Sequence, residues 1–255
     1  MVCWNNDGQS QCSIIDSLAF NSNSIALAIV VSTILRSSTC NRVCGEERVN
    51  YPFGFSGDCE IRLSCTAGGE MEFNGFGIRD ITSETLLLNL PADCDRPIDQ
   101  IDRLFRKNYA LTFRNGLVLR NCSSSSSRQV ESSLLEEHFG ESMCKDRHGE
   151  TENMNYYDCN SVGAEILKHG DASGTGCKFL FSAIVVLPNN EIDFQAIELA
   201  WWLHGACCCD PNAACTLVLP AGFRCRCNEG FTGDGYLQGE GCRNGQFPAP
   251  SKYCT

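Results

Sequence analysis

The chain has 255 residues, 19 cysteines and a net charge of −11. That length allows one large or two to three small domains, and the acid excess argues against nucleic acid as a partner. Cysteines at this density fit a disulfide scaffold in an oxidising compartment. They do not fit a zinc protein, because no pair of Cys-x2-Cys knuckles is present and most of the cysteines lie far apart. The odd count leaves at least one thiol outside an intrachain pair.

Residues 1–39 read as a leader or N-terminal segment rather than a domain. Ile25 to Leu35 is apolar but too short to cross a membrane, and it suits the core of a secretory signal, although the basic residues that usually precede one are missing. From Cys40 the pattern changes. Cys40, Cys44, Cys59 and Cys65 punctuate short β-prone runs, and Tyr51-Pro52-Phe53-Gly54 places two aromatics around a turn-forming Pro and Gly. The stretches 71–81, 84–94 and 109–122 read as strands. Tyr109–Arg114, Asn115-Gly116 and Leu117–Leu119 read as a hairpin with a type I′ turn. Cys94 and Cys122 close this unit, so six cysteines in residues 40–122 are expected to give three disulfides within it. Asn121-Cys122-Ser123 is the one N-glycosylation sequon, and a half-cystine at its middle argues against occupancy of Asn121.

Ser123 to Ser127 is a serine run and reads as a linker, followed by a short helix within 128–142. Residues 123–206 carry most of the excess acid. Cys144, Cys159 and Cys177 mark a second cysteine-rich β segment. In it Phe179 to Leu187 is a continuous apolar strand and Pro188-Asn189-Asn190 a turn. The last cysteines, Cys207, Cys209, Cys215, Cys225, Cys227 and Cys242, lie in a stretch too poor in apolar mass to fold without staples. Spacing alone leaves fifteen ways to pair them.

Two resemblances follow from these residues. Cys207 to Cys242, with Cys-x-Cys and then Gly230, Phe231, Gly233 and Gly235, resembles an EGF-like module. That family's pairing implies Cys207–Cys215, Cys209–Cys225 and Cys227–Cys242. Its calcium-binding subclass is not expected. His204-Gly205-Ala206 stands where the acidic run would be, and Asp210, Asp234 and Glu240 are too few and too scattered to supply six to eight oxygens. Upstream, Cys40, Cys44, Gly45, Val49, Tyr51, Pro52, Phe53, Gly54, Cys59, Leu63 and Cys65 resemble the start of the galacturonan-binding module of plant wall-associated receptor kinases. Glu198, Leu199, Trp201, Trp202, Leu203 and Gly205 are similar to the run that leads into the EGF cysteines in some kinase-like members of that family. Cys208 departs from the pattern by making a triple cysteine. Its candidate partners are whichever of Cys144, Cys159 and Cys177 is left over and Cys254, and an unpaired thiol is the other alternative.

The expected fold is therefore mainly β and disulfide-rich. It comprises a leader (1–39), a small β module (40–122), a linker (123–143), a cysteine-rich β segment (144–206), an EGF-like module (207–243) and a tail (244–255). No enzyme is expected. The chain has no Gly-x-Ser-x-Gly elbow, no kinase Gly-rich loop, and no VAIK, HRD or DFG motif, and its four histidines are scattered among polar residues. The resemblance implies a secreted or cell-wall protein that binds pectic galacturonan, without its relatives' membrane span and kinase unless the chain is a fragment of a longer protein. A protein ligand or co-receptor bound by the EGF-like and acidic regions is the alternative. No cofactor or metal is expected. A polyanion needs cations, so the candidate binding residues are Arg103, Arg106, Lys107, Arg114 and Arg120, with Tyr51 and Phe53 as sugar-stacking aromatics.

Overall fold

The computed structural model describes residues 2–6, 9–13, 40–123, 128–162, 166–168, 170, 173–218 and 222–244. The apolar run Ile25–Leu35, most of the serine run and Cys254 lie outside them. The chain is mainly β and disulfide-rich, as expected. It divides into two compact units, one made of residues 1–63 with 203–255 and the other of residues 64–202.

In the first unit β1 (Val2–Asn6) pairs antiparallel with β2 (Gln9–Ser13). β3 (Val43–Cys44) and β4 (Glu47–Arg48) form a small hairpin. β5 (Phe53–Gly54) runs parallel to β6 (Ile61–Arg62). Phe53, Val49, Ile61 and Leu63 are all buried and form the local core. Gly54 sits where the Cys40–Cys59 disulfide crosses the chain. A Cβ at this position would run into both sulfurs, so the bridge dictates the glycine.

The second unit holds β7 (Ser64–Cys65), β8 (Met71–Phe73), β9 (Phe76–Ile81), β10 (Thr85–Asn89), a 3₁₀ helix (Ile98–Leu104), β11 (Tyr109–Leu111), β12 (Asn115–Cys122), β13 (Arg128–Val130), α1 (Ser132–Phe139), β14 (Met154–Asp158), β15 (Cys177–Val186), β16 (Ile192–Phe194) and β17 (Ala196–Trp201). Six strands form one sheet in the order β11-β17-β10-β9-β8-β7. Five form another in the order β13-β14-β12-β15-β16. The chain leaves the second sheet for the first at Gln195, whose φ of 57° turns it between β16 and β17. Arg79 holds this crossover. Its guanidinium donates to Asn89 Oδ1, to Asp193 Oδ1 at 2.6 Å and to the Gln195 carbonyl at 3.1 Å.

The core lies where β15 packs on β17: Leu180, Ala183 and Val185 from one strand, Ile197 and Leu199 from the other, all fully buried. The apolar run at 179–187 is thus the strand it was expected to be, and Asn190, with φ 63°, makes the turn after it. The short helix is α1. It lays Leu135 and Phe139, one turn apart, against Val118, Met154 and Phe181.

Two expectations are corrected. No hairpin forms at Asn115-Gly116, because β11 pairs with β17 while β12 lies between β14 and β15 in the other sheet. Asn115 is buried. Its amide donates to the Glu198 carbonyl at 2.8 Å and its Oδ1 accepts the Glu198 N–H at 2.8 Å, so the side chain pairs with the backbone in the middle of β17 instead of making a turn. Gly116 is a strand residue whose missing side chain leaves room for the Tyr156 ring. An Asn-Gly turn with φ positive at both residues does exist, at Asn74-Gly75, between the paired Phe73 and Phe76.

The second correction concerns the cysteines. Cys94 pairs with Cys144 and Cys122 with Cys177, so neither bridge stays within residues 40–122. Strands from 40–122 and from 144–206 share both sheets, and the structure draws its boundary at Ser64 and Trp202 instead. These bridges also occupy two of the candidate partners of Cys208.

The remaining strands belong to the first unit. β18 (Ala213–Val218) and β19 (Gly222–Cys227) form a hairpin, and β20 (Phe231–Gly233) pairs with β21 (Cys242–Asn244). Cys207–Cys215, Cys209–Cys225 and Cys227–Cys242 are bridged, the pairing that the EGF-like resemblance implies.

Candidate functional site

The five cations picked out by sequence separate into two kinds. Arg103, Arg106 and Lys107 are exposed, on the 3₁₀ helix and the loop after it. Arg106 donates to the carbonyls of Asp102 and Phe105 and so closes the helix end. Arg114 and Arg120 are committed inside the fold. Arg114 makes a two-pronged bond to Glu198, 2.9 Å on each prong. Arg120 bonds Glu152 at 2.8 Å, donates to the Cys94 carbonyl and lies over the Phe179 ring. A guanidinium whose donors meet a carboxylate of its own protein has little left for a polyanion. The expectation that Arg114 and Arg120 form a cationic ligand face is therefore corrected. So is the one for Phe53, whose ring is 2% exposed and closes the core.

Tyr51 is placed differently. It forms part of the wall of a cleft of about 690 Å³ in the first unit, lined in part by Arg42, Arg48, Asp58, Glu60 and Gln238. The Arg42 guanidinium stands over the Tyr51 ring at 5.3 Å, and the Tyr236 ring packs on Tyr51 at 5.1 Å. The Tyr51 hydroxyl donates to Gln238 Oε1 at 2.6 Å. Burial, and then the charge of Glu60, pushes the Tyr51 hydroxyl above the ordinary tyrosine range, so it stays a neutral donor. Arg48 meets Glu240 at 3.6 Å on the exposed rim, a weak contact. The cleft thus offers guanidinium donors and carboxylate acceptors around one aromatic edge. It suits a ligand with both a carboxylate and hydroxyls.

Sequence reasoning missed Arg42, Arg48, Tyr236 and Gln238. Gln238 is 187 residues from Tyr51 in the chain, and no local pattern links the two. Arg42 and Arg48 flank the motif cysteine Cys44, and their closeness to Tyr51 was the one available signal.

In the EGF-like part, Asp234 is absorbed by the backbone. Its carboxylate accepts the N–H groups of Tyr236, Glu240 and Gly241. Asp210 likewise accepts the Asn212 N–H. Among the described residues no group of three or more His, Cys, Asp or Glu is arranged to hold a metal ion. No helix among them is long and apolar enough to cross a membrane.

Residues 204–237 match the EGF domain family. The chain is 32% identical over 215 residues to wall-associated receptor kinase-like 14 of Arabidopsis thaliana, which covers 77% of this chain and 30% of that protein. It is 29% identical over 223 residues to wall-associated receptor kinase-like 21 of the same plant, 82% of this chain and 35% of that protein. The chain is homologous to both over about four fifths of its length, and it spans about a third of theirs. No solved structure matches it. An EGF-like domain on a disulfide-rich β scaffold is typical of non-catalytic ectodomains.

Proposed function

We propose that this chain is the extracellular, ligand-binding part of a wall-associated receptor kinase-like protein, and that it binds pectic galacturonan in the cell wall. The observation that carries the reading is the cleft around Tyr51. A galacturonate unit presents one carboxylate and several hydroxyls. Arg42 and Arg48 supply forked donors for the carboxylate, and Asp58 and Glu60 accept from hydroxyls. The volume lies within the range of ordinary small-ligand clefts and fits a short stretch of sugar units better than a long polymer face. Arg103, Arg106 and Lys107 remain exposed and provide a further cationic contact for the same class of ligand. The disulfides agree with an extracellular setting.

A protein ligand is the second reading. Leu217 on β18 is 78% exposed, an apolar side chain on the surface of the EGF-like hairpin. Salt separates the two readings, because contacts between exposed ions are screened over about 8 Å at 0.15 M and apolar contacts are not.

The test is titration of the full chain, its disulfides intact, with short oligogalacturonides at two salt concentrations. Binding is expected to weaken as salt rises. Arg42→Ala is expected to weaken it about tenfold, equivalent to about 1.4 kcal/mol. Absence of binding, or binding indifferent to salt and to Arg42, excludes the pectin reading.

A further inference from the structure

We infer that Asn121 is an N-glycosylation site, modified while the chain is still being made. The inference rests on the extracellular reading, which places synthesis in the secretory compartment. The sequon Asn121-Cys122-Ser123 looked blocked because Cys122 was expected to be a half-cystine, bridged within residues 40–122. The fold instead bridges Cys122 to Cys177, 55 residues downstream. At about 5–20 residues per second, roughly 3–11 s pass between the two cysteines. During that interval Asn121 leaves the ribosome with the native partner of Cys122 not yet present.

The folded geometry sets the other limit on timing. In the closed sheet the N–H and the hydroxyl of Ser123 both donate to the Gly176 carbonyl, each at 3.0 Å. The sequon hydroxyl is then engaged, and Cys122 is tied to the neighbouring strand. Transfer therefore precedes pairing of β12 with β15. The folded state also has room for the product. Asn121 is exposed and has φ 54°, between the paired positions Arg120↔Phe179 and Cys122↔Cys177. A sugar there extends into solvent and displaces no core residue.

The co-reactant is a lipid-diphosphate-linked oligosaccharide. Asn121 Nδ2 forms a bond to the anomeric carbon, and the bond from that carbon to the diphosphate oxygen breaks. The lipid diphosphate leaves with that electron pair, and one amide proton is lost to a base.

The experiment expresses the full chain behind a secretion leader in a eukaryotic cell, then applies intact-mass measurement and peptide N-glycosidase digestion. One glycan is expected, removed by digestion with conversion of Asn121 to Asp, and absent in Asn121→Gln and Ser123→Ala. Cys177→Ser is expected to leave occupancy unchanged, since that cysteine arrives too late to compete. A several-fold rise in Cys177→Ser overturns the timing argument. A secreted chain with Cys122–Cys177 formed and a bare Asn121 overturns the site, and leaves the extracellular reading standing. A glycosylated chain that ignores oligogalacturonides does the reverse, removing the pectin reading and keeping this site.

Discussion

The Glu198 side chain is 5% exposed, and its carboxylate accepts two bonds from Arg114 and one of 2.7 Å from the Thr112 hydroxyl. Such a pair repays its desolvation only while both members are present. Removing one leaves a buried charge alone, which costs about 3–5 kcal/mol. Arg114→Ala is therefore expected to lower the denaturant midpoint by an amount corresponding to about 3 kcal/mol. Replacing Arg114 and Glu198 together by apolar residues of similar size should lose much less. If both variants lose the same amount, the cluster is not coupled as described. This pair also marks a limit of the sequence. Five cations within 18 residues were plain to see, but not that Glu198, 84 positions on from Arg114, would claim one of them. Tyr51 was legible as a candidate because its motif is local. Its partners at 236 and 238 were not.

Strand β17 lies between β10 and β11, although about a hundred residues separate it from them in the chain. Residues 40–122 alone would keep β3 to β12 but lose β17, β14 and β15, and both Cys94 and Cys122 would lack their partners. That fragment is expected to show no cooperative unfolding transition and no stable near-ultraviolet dichroism under conditions in which the full chain shows both. A cooperative transition in the fragment would mean that the shared sheets are dispensable. At this scale the sequence was informative about individual strands and about local pairing. Leu86 and Leu88 alternate as a half-buried strand should, and the EGF cysteines pair within 16 residues of one another. Sheet order was not legible, because period-two alternation says which face a strand buries and not which strand lies beside it. Two of the three Asn-Gly pairs, at 74-75 and 115-116, show the same limit. Both satisfy the turn rule, but Asn74 donates to the Arg103 carbonyl and the Tyr109 hydroxyl at a surface turn, while Asn115 is drawn into the core by Glu198.

Across the whole molecule the cysteine count pointed to the compartment class and the β-rich runs to the fold class, yet neither says how the fold fails when stressed. Its tyrosines do. Burial raises the hydroxyls of Tyr51 and Tyr236 in one unit and of Tyr109 and Tyr156 in the other, Tyr236 to about 12. The unfolded value is about 10. A group whose folded value is raised contributes stability that is fully present below the unfolded value and is lost as pH rises through the folded one. The part of the stability that these hydroxyls carry is thus expected to be fully present up to about pH 10 and to be lost as pH rises from there, through about 12 for Tyr236. Within that window these four tyrosines should ionise together with unfolding, so that tyrosinate absorbance rises in step with the loss of near-ultraviolet dichroism. Tyr236 anchors the effect, since it is 2% exposed and burial raises its hydroxyl even though the Cys225 N–H that its oxygen accepts at 3.1 Å favours the ionised form. Tyr236→Phe should make the alkaline transition shallower and leave the Cys225 N–H without that acceptor. A gradual titration of all six tyrosines near pH 10 with the dichroism unchanged would show that these hydroxyls are open to water in the native fold.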